Sequence, residues 1–153
     1  MTPARELWFA REEYLERVAR ARTVMHEGDV DVLLAVHPMS VTYLTGFFST
    51  AYMLFSVAII AADEAAEPLT VVRDNEAYWF CRTGAFDQVV YWEDGEVPAE
   101  ILARALREVG AASARIGYES SWPMNQTLLA ATRAALPAAT FVDLGDDVIS
   151  RMR

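Results

Sequence analysis

One window of this chain carries no charge: no Asp, Glu, Lys or Arg occurs between Asp31 and Asp63. An apolar run (Val32, Leu33, Leu34, Ala35, Val36) enters the window and a second apolar stretch, 52–62, leaves it. Between them lie Pro38, Gly46 and a cluster of hydroxyls. That pattern predicts two buried strands, at 31–36 and 55–61, joined by an irregular connector with special backbone geometry and room for a ligand. A short helical turn is expected over 39–44. The rest of the chain reads as scaffold around this pair.

Ahead of the window, 12–27 predicts an amphipathic helix. Tyr14, Val18, Ala21 and Met25 recur at helical spacing, while Glu13, Glu16, Arg17 and Arg20 take the wet face. Glu13–Arg17 and Glu16–Arg20 are pairs in the favourable order, each worth a few tenths of a kcal/mol. Gly28 is expected to end this helix. Beyond the window come a polar loop at 63–68, a strand at 69–72, a short aromatic-rich helix at 75–81, a strand at 88–92 and a turn at 93–95. The clearest helix is 98–109: Pro98 suits the first turn, Ile101, Leu102, Ala105, Leu106 and Val109 form one face, and Gly110 stops it. A strand at 115–118, a helix at 124–136, a strand at 140–142 and a helix starting at 144 complete the chain. Alternating strands and helices predict a single α/β domain over 1–153, an α/β/α sandwich. An antiparallel pairing across the early connector makes its sheet mixed.

Composition is that of an ordinary globular protein, 54% hydrophobic and 23% charged. The net charge of −9 repels phosphate backbones, so no nucleic-acid partner is expected. The single cysteine, Cys81, excludes an internal disulfide and a multi-Cys zinc site, and is read as a small buried hydrophobe in a reducing cytoplasm. The uncharged window does not read as a membrane span, because its longest mostly apolar part, 51–62, falls short of the ~20 residues a spanning helix needs. Arg5, Glu6, Arg11, Glu12 and Glu13 stand where a signal peptide would be apolar.

Convergent catalytic groups are missing from the pattern. There is no glycine-rich phosphate motif, no HExxH and no nucleophile elbow. His26 is expected at a helix end, near the negative pole of the dipole. His37, after a strand and before Pro38, stands either as a ligand-facing imidazole or as a histidine holding the connector. Tyr43, Phe47, Phe48 and Tyr52 form either an aromatic wall for a substrate or core and dimer contacts. Arg73 can clamp a carboxylate across a cleft or serve in a structural ion pair. Asp146 and Asp147 suit a helix start.

Several stretches in this order resemble one family. Phe9-Ala10-Arg11-Glu12-Glu13-Tyr14 with Arg17, then Asp31-Val32-Leu33-Leu34, Tyr43-Leu44-Thr45-Gly46-Phe47, Leu69-Thr70-Val71-Val72-Arg73 and Ile116-Gly117-Tyr118-Glu119 are similar to the N-terminal domain of the creatinase/prolidase family, the pita-bread metallopeptidases. Ala10 departs from the pattern, standing where relatives have Ser or Thr as helix cap, which weakens that terminus by about 1 kcal/mol.

The resemblance implies a ribonuclease H-like, creatinase N-terminal-type fold. It also implies a parent hydrolase, an Xaa-Pro dipeptidase, prolidase or aminopeptidase, whose C-terminal catalytic domain holds two divalent ions (Mn, Zn or Co) with Asp, Asp, His, Glu and Glu. Nothing in this chain matches those ligands, so no catalytic residue and no cofactor are assigned to it, and an excised or truncated domain is expected. In such enzymes the N-terminal domain builds a homodimer and lends residues to the partner subunit's site. By that resemblance His37, Tyr43, Phe47, Ser49, Tyr52 and Arg73 are candidates for contacts with a small peptide or amide substrate. The competing expectation is a stand-alone protein-binding or dimerisation module. A third, a nuclease-like carboxylate cluster of Asp31, Glu119 and Asp143, is opposed by the acidic charge.

Overall fold

Every element expected within the described residues forms. The computed structural model describes residues 4–51, 53–120 and 125–145. In chain order these hold α1 (Arg11–Glu27), β1 (Val32–Ala35), α2 (Pro38–Thr45), β2 (Val57–Ala61) and β3 (Leu69–Arg73). A 3-10 turn (Asp74–Glu76) leads into α3 (Ala77–Thr83), followed by β4 (Val89–Trp92), α4 (Pro98–Glu108), β5 (Arg115–Tyr118), α5 (Asn125–Ala135) and β6 (Thr140–Asp143). The helix expected from 144 lies almost wholly outside the described residues.

The six strands form one sheet in the order β4-β3-β2-β1-β5-β6. β2 runs antiparallel to both neighbours, and every other pairing is parallel. The carboxyl ends of β1, β3, β4, β5 and β6 therefore share one edge of the sheet, the edge where ligands gather in open α/β folds.

β1 sits centrally and is buried on both faces, which is why it reads as an unbroken apolar run and not as an alternation. Leu33 and Ala35 pack with Ala58, Ile60 and Val72 beneath α1, α2 and α3. Val32, Leu34 and Val36 pack with Val57, Ile59, Val71 and Ile116 beneath α4 and α5. The result is the mixed-sheet α/β/α sandwich that the pattern predicted. Among the described residues no helix is long and apolar enough to cross a membrane.

Two local expectations need adjusting, although Gly28 does end α1 as expected. Gly28 caps α1 but has φ −87°, and the left-handed conformation falls to Asp29, φ 51°. The Val30 N–H donates to the Met25 carbonyl and the Asp29 N–H to the His26 carbonyl, a Schellman closure with Asp29 at the residue after the cap. Met25 and Val30 are both buried, so their packing fixes where the helix stops. α4 closes by the same pair of bonds, and there Gly110 does take the left-handed position, φ 77°. Asp29→Gly therefore raises stability by about 0.5 kcal/mol, relief of the left-handed strain outweighing glycine's added unfolded-state freedom. Urea unfolding of the two proteins measures it.

The second correction is Arg17. Assigned by periodicity to the wet face of α1, it is buried, 7% exposed, and its guanidinium lies inside the domain.

Candidate functional site

The candidate site is α2 with its two connectors, at the carboxyl edge of the sheet. β1 delivers the chain to His37, whose extended backbone makes it the N-cap of α2. Pro38 follows at the first helical position, where its missing N–H is no loss and its fixed φ suits a helix. The His37 Nδ1 accepts the Met39 N–H at 3.2 Å, so an imidazole takes the capping role usually filled by Ser or Asp. This acceptor role requires Nδ1 to be unprotonated.

Glu119, the residue after β5, lies beneath this start and is only 3% exposed. Its Oε2 accepts the N–H of Val36 at 2.9 Å and that of His37 at 3.0 Å. Its Oε1 accepts the Ser40 hydroxyl. Burial pushes its carboxyl above the ordinary range, against the pull of the Ser40, His37 and Val36 hydrogen bonds. Loss of hydration thus outweighs three donors in direction, as expected for an acid this deep.

The far end of α2 explains the motif that carried the resemblance. Gly46 takes the left-handed conformation, φ 75°, and its N–H returns to the Thr42 carbonyl at 2.9 Å. The Thr45 hydroxyl donates to the Val41 carbonyl at 2.7 Å and accepts the Phe47 N–H at 3.2 Å. The Thr42 hydroxyl donates to the Phe47 carbonyl at 2.9 Å. Tyr43-Leu44-Thr45-Gly46-Phe47 is a hydrogen-bonded helix stop.

Past this stop the Phe48 N–H donates to the Thr83 hydroxyl at 2.9 Å, while the Phe48 ring packs 5.0 Å from that of Trp8. A groove of about 570 Å³ opens here, bounded by Trp8, Pro38, Met39, Thr42, Phe48 and Ser49. That is the size of a small-ligand or side-chain site. Met39 is 69% and Trp8 62% exposed, a large apolar display. Beside the groove lies a notch of about 20 Å³ lined by Phe47 and the hydroxyl residues Thr42, Ser49 and Ser56, room for about one water.

The candidate residues scatter around this feature. Ser49 lines both groove and notch, and Phe47 closes the notch from a position 2% exposed, its ring 5.9 Å from Phe80. His37 caps the helix whose first turn floors the groove. Tyr43 turns to α1, its ring 4.6 Å from the guanidinium carbon of Arg17. Arg73 ends β3, two strands from β1 along the same edge, pairs with Asp94 and lies over the Trp92 ring at 5.7 Å. It does not line the groove. Tyr52, Asp146 and Asp147 lie outside the described residues.

Sequence reasoning missed Met39 and Trp8 as groove walls and Glu119 as the group that ties β5 to α2. An acid directly after an apolar strand was the one available signal for Glu119. Cys81 is half-buried, not a core hydrophobe; it stands beside Tyr91, whose hydroxyl is pushed up to about 12 by burial and by Cys81.

The carboxylate cluster of Asp31, Glu119 and Asp143 does not assemble. Asp31 precedes β1 and accepts the Arg115 N–H at 2.8 Å, at the amino end of β5. Glu119 follows the carboxyl end of β5, and β1 and β5 are parallel, so a strand's length separates the two acids. A metal set is likewise not formed: among the described residues no three His, Cys, Asp or Glu side chains converge. His26 and His37 sit beyond opposite ends of β1. The described residues do not fit a dinuclear metal site.

The architecture and the α2 stop point to one family, and the sequence confirms it. The chain belongs to the creatinase/prolidase N-terminal domain family, which it matches over residues 17–153. Among solved structures it is similar to a proline dipeptidase from Streptococcus pneumoniae, with 25% identity, a TM-score of 0.71 and 89% of this chain covering 96% of that one. The N-terminal domain of the cytoplasmic peptidase PepQ from Mycobacterium tuberculosis matches at 18% identity and a TM-score of 0.72, over 90% of this chain and 98% of that one. An Xaa-Pro dipeptidase from Bacillus anthracis matches at 17% identity and a TM-score of 0.73 over 92% of this chain, which spans only 36% of that enzyme. No curated protein matches the sequence.

Proposed function

We propose that this domain is the non-catalytic N-terminal part of a metal-dependent hydrolase of the Xaa-Pro dipeptidase and creatinase class. In this reading it works in the cytoplasm as half of a homodimer, and its α2 face contributes to the substrate side of the partner subunit's active site. The observation that carries the reading is the family match over 17–153, in a fold that accounts for about a third of a solved dipeptidase. Three features of the chain support the substrate-side role. The groove is apolar and aromatic, the hydroxyl residues Thr42, Ser49 and Thr50 are among those bounding it, and no charged side chain is. Such a wall suits a small neutral group better than a charged one. Hydrolysis itself, in this reading, belongs to two divalent metals held by a following catalytic domain, where they would activate water toward a C–N bond.

The test is the coding frame beyond the codon for Arg153, read together with the isolated chain. The frame is expected to run on for a couple of hundred codons and to supply Asp, Asp, His, Glu and Glu. The isolated 153-residue chain is expected to bind no stoichiometric metal and to hydrolyse no Xaa-Pro dipeptide with Mn²⁺ or Zn²⁺ added. A frame that lacks those ligands overturns the enzyme reading in favour of a stand-alone binding module. Turnover by the isolated chain that survives repurification overturns the assignment as non-catalytic.

A further inference from the structure

Glu119 is a buried acid that this reading leaves without a task. Its three donors come from one short piece of chain: the Val36 and His37 N–H groups and the Ser40 hydroxyl. They are the end of β1 and the first turn of α2. His37 is the N-cap of α2 and Val36 the residue before it, so the acid sits at the positive end of the helix, where the dipole favours a negative charge. Pro38 has no N–H and His37 Nδ1 takes that of Met39, so Glu119 and His37 between them manage this helix start. The register pairs Leu34 with Tyr118, which places Glu119, one residue past β5, beside Ala35 at the end of β1, with Val36 next along the chain. Its side chain thus reaches across one strand spacing to the connector, ~4.8 Å.

We propose that Glu119 is a positioning residue: its carboxylate, delivered from the end of β5, sets where α2 begins and so where Pro38, Met39 and Thr42 stand as the wall of the groove. The proposal rests on the reading of that groove as a contact face, but its geometry is tested without any activity. A neutral acceptor holds the same donors less firmly, since hydrogen bonds to a charged group are about twice as strong as neutral ones. A shorter acid cannot reach them at all.

The experiment is NMR of the isotopically labelled 153-residue chain, comparing wild type with Glu119→Gln, Glu119→Asp and Ser40→Ala. In Glu119→Gln, amide exchange at Val36 and His37 is expected to quicken about tenfold relative to Leu33, Ile60 and Leu102, from the weakened bonds. The Met39 and Thr42 methyl resonances are expected to move with it. Glu119→Asp moves the same signals further, and Ser40→Ala, which removes one donor and keeps the acid, moves them less. Should Glu119→Asp fail to fold, the near-isosteric Gln and the Ser40 variant carry the test alone. Exchange that quickens by one common factor across the domain, with the groove methyls unmoved, assigns Glu119 a purely structural role and overturns the proposal. Turnover by the isolated chain would remove the functional reading and leave these shifts in place, so the two fail separately.

Discussion

Gly46→Ala lowers the stability of the domain by about 3 kcal/mol, the sum of left-handed backbone strain and overpacking against fixed neighbours. At φ 75° any Cβ is strained, and here it also lacks space. The added carbon would stand 2.8 Å from the Thr83 carbonyl oxygen and 3.1 Å from the Tyr14 ring. Neither neighbour can withdraw. The Thr83 backbone ends α3, and the Tyr14 side chain is among the largest that are fully buried. Gly110 supplies the control, because it has nearly the same φ, 77°, and nothing within 4 Å of its notional Cβ. Gly110→Ala should cost only about 1 kcal/mol, the backbone part alone. For a domain of this size the Gly46 variant then melts about 9 °C lower, and the Gly110 variant about 3 °C lower. Equal losses in urea unfolding would show that the approach of α2 to α1 and α3 is looser than the distances state.

That glycine also shows what the sequence made legible. A Gly after an apolar phrase rich in Ser and Thr marks a special turn, and the turn is there. Its partners are not written locally: Thr83 lies in α3 and Tyr14 in α1, and only packing brings them to it. The strands were readable for a similar reason. β1 and β2 are buried on both faces, so their apolar runs are continuous.

Backbone donors and deeply placed charges were not readable. Glu119 answers two N–H groups more than eighty residues away, and an amide leaves no mark in a list of side chains. Trp8 lies ahead of the family match, on a segment held by the Glu6 N–H on the Arg82 carbonyl and the Arg82–Glu6 ion pair. Nothing local ties that segment to α2. The helical period identified which residues of α1 face the sheet, but it sorted by polarity, and so it sent Arg17 to solvent. Of the two roles open to Tyr43, substrate wall or packing contact, its ring makes a contact of the second kind, with that same arginine of α1.

Arg17→Ala is the second large effect, a loss of about 3 kcal/mol, in the range for removing one partner of a buried charged hydrogen-bond set. The guanidinium touches three elements at once. Its carbon lies 4.4 Å from the Phe9 ring, 5.0 Å from Tyr14 and 4.6 Å from Tyr43. Its Nη1 donates to the Tyr43 carbonyl at 3.1 Å, one of the acceptors a helix end leaves unpaired, where a cation also suits the dipole. Its Nε donates to Glu13 at 3.0 Å, but the Glu13 side chain is 39% exposed, so water screens that ion pair and it adds little. Glu13→Gln should therefore cost under ~1 kcal/mol. Arg17→Lys keeps the charge but cannot stack on the rings or serve two acceptors with one planar fork, and should recover only about half of the loss. Urea unfolding orders the variants as Glu13→Gln, Arg17→Lys, Arg17→Ala. If Arg17→Ala falls no further than Glu13→Gln, the rings hold together without the cation, and the junction of the N-terminal segment, α1 and α2 is an aromatic cluster that tolerates the arginine.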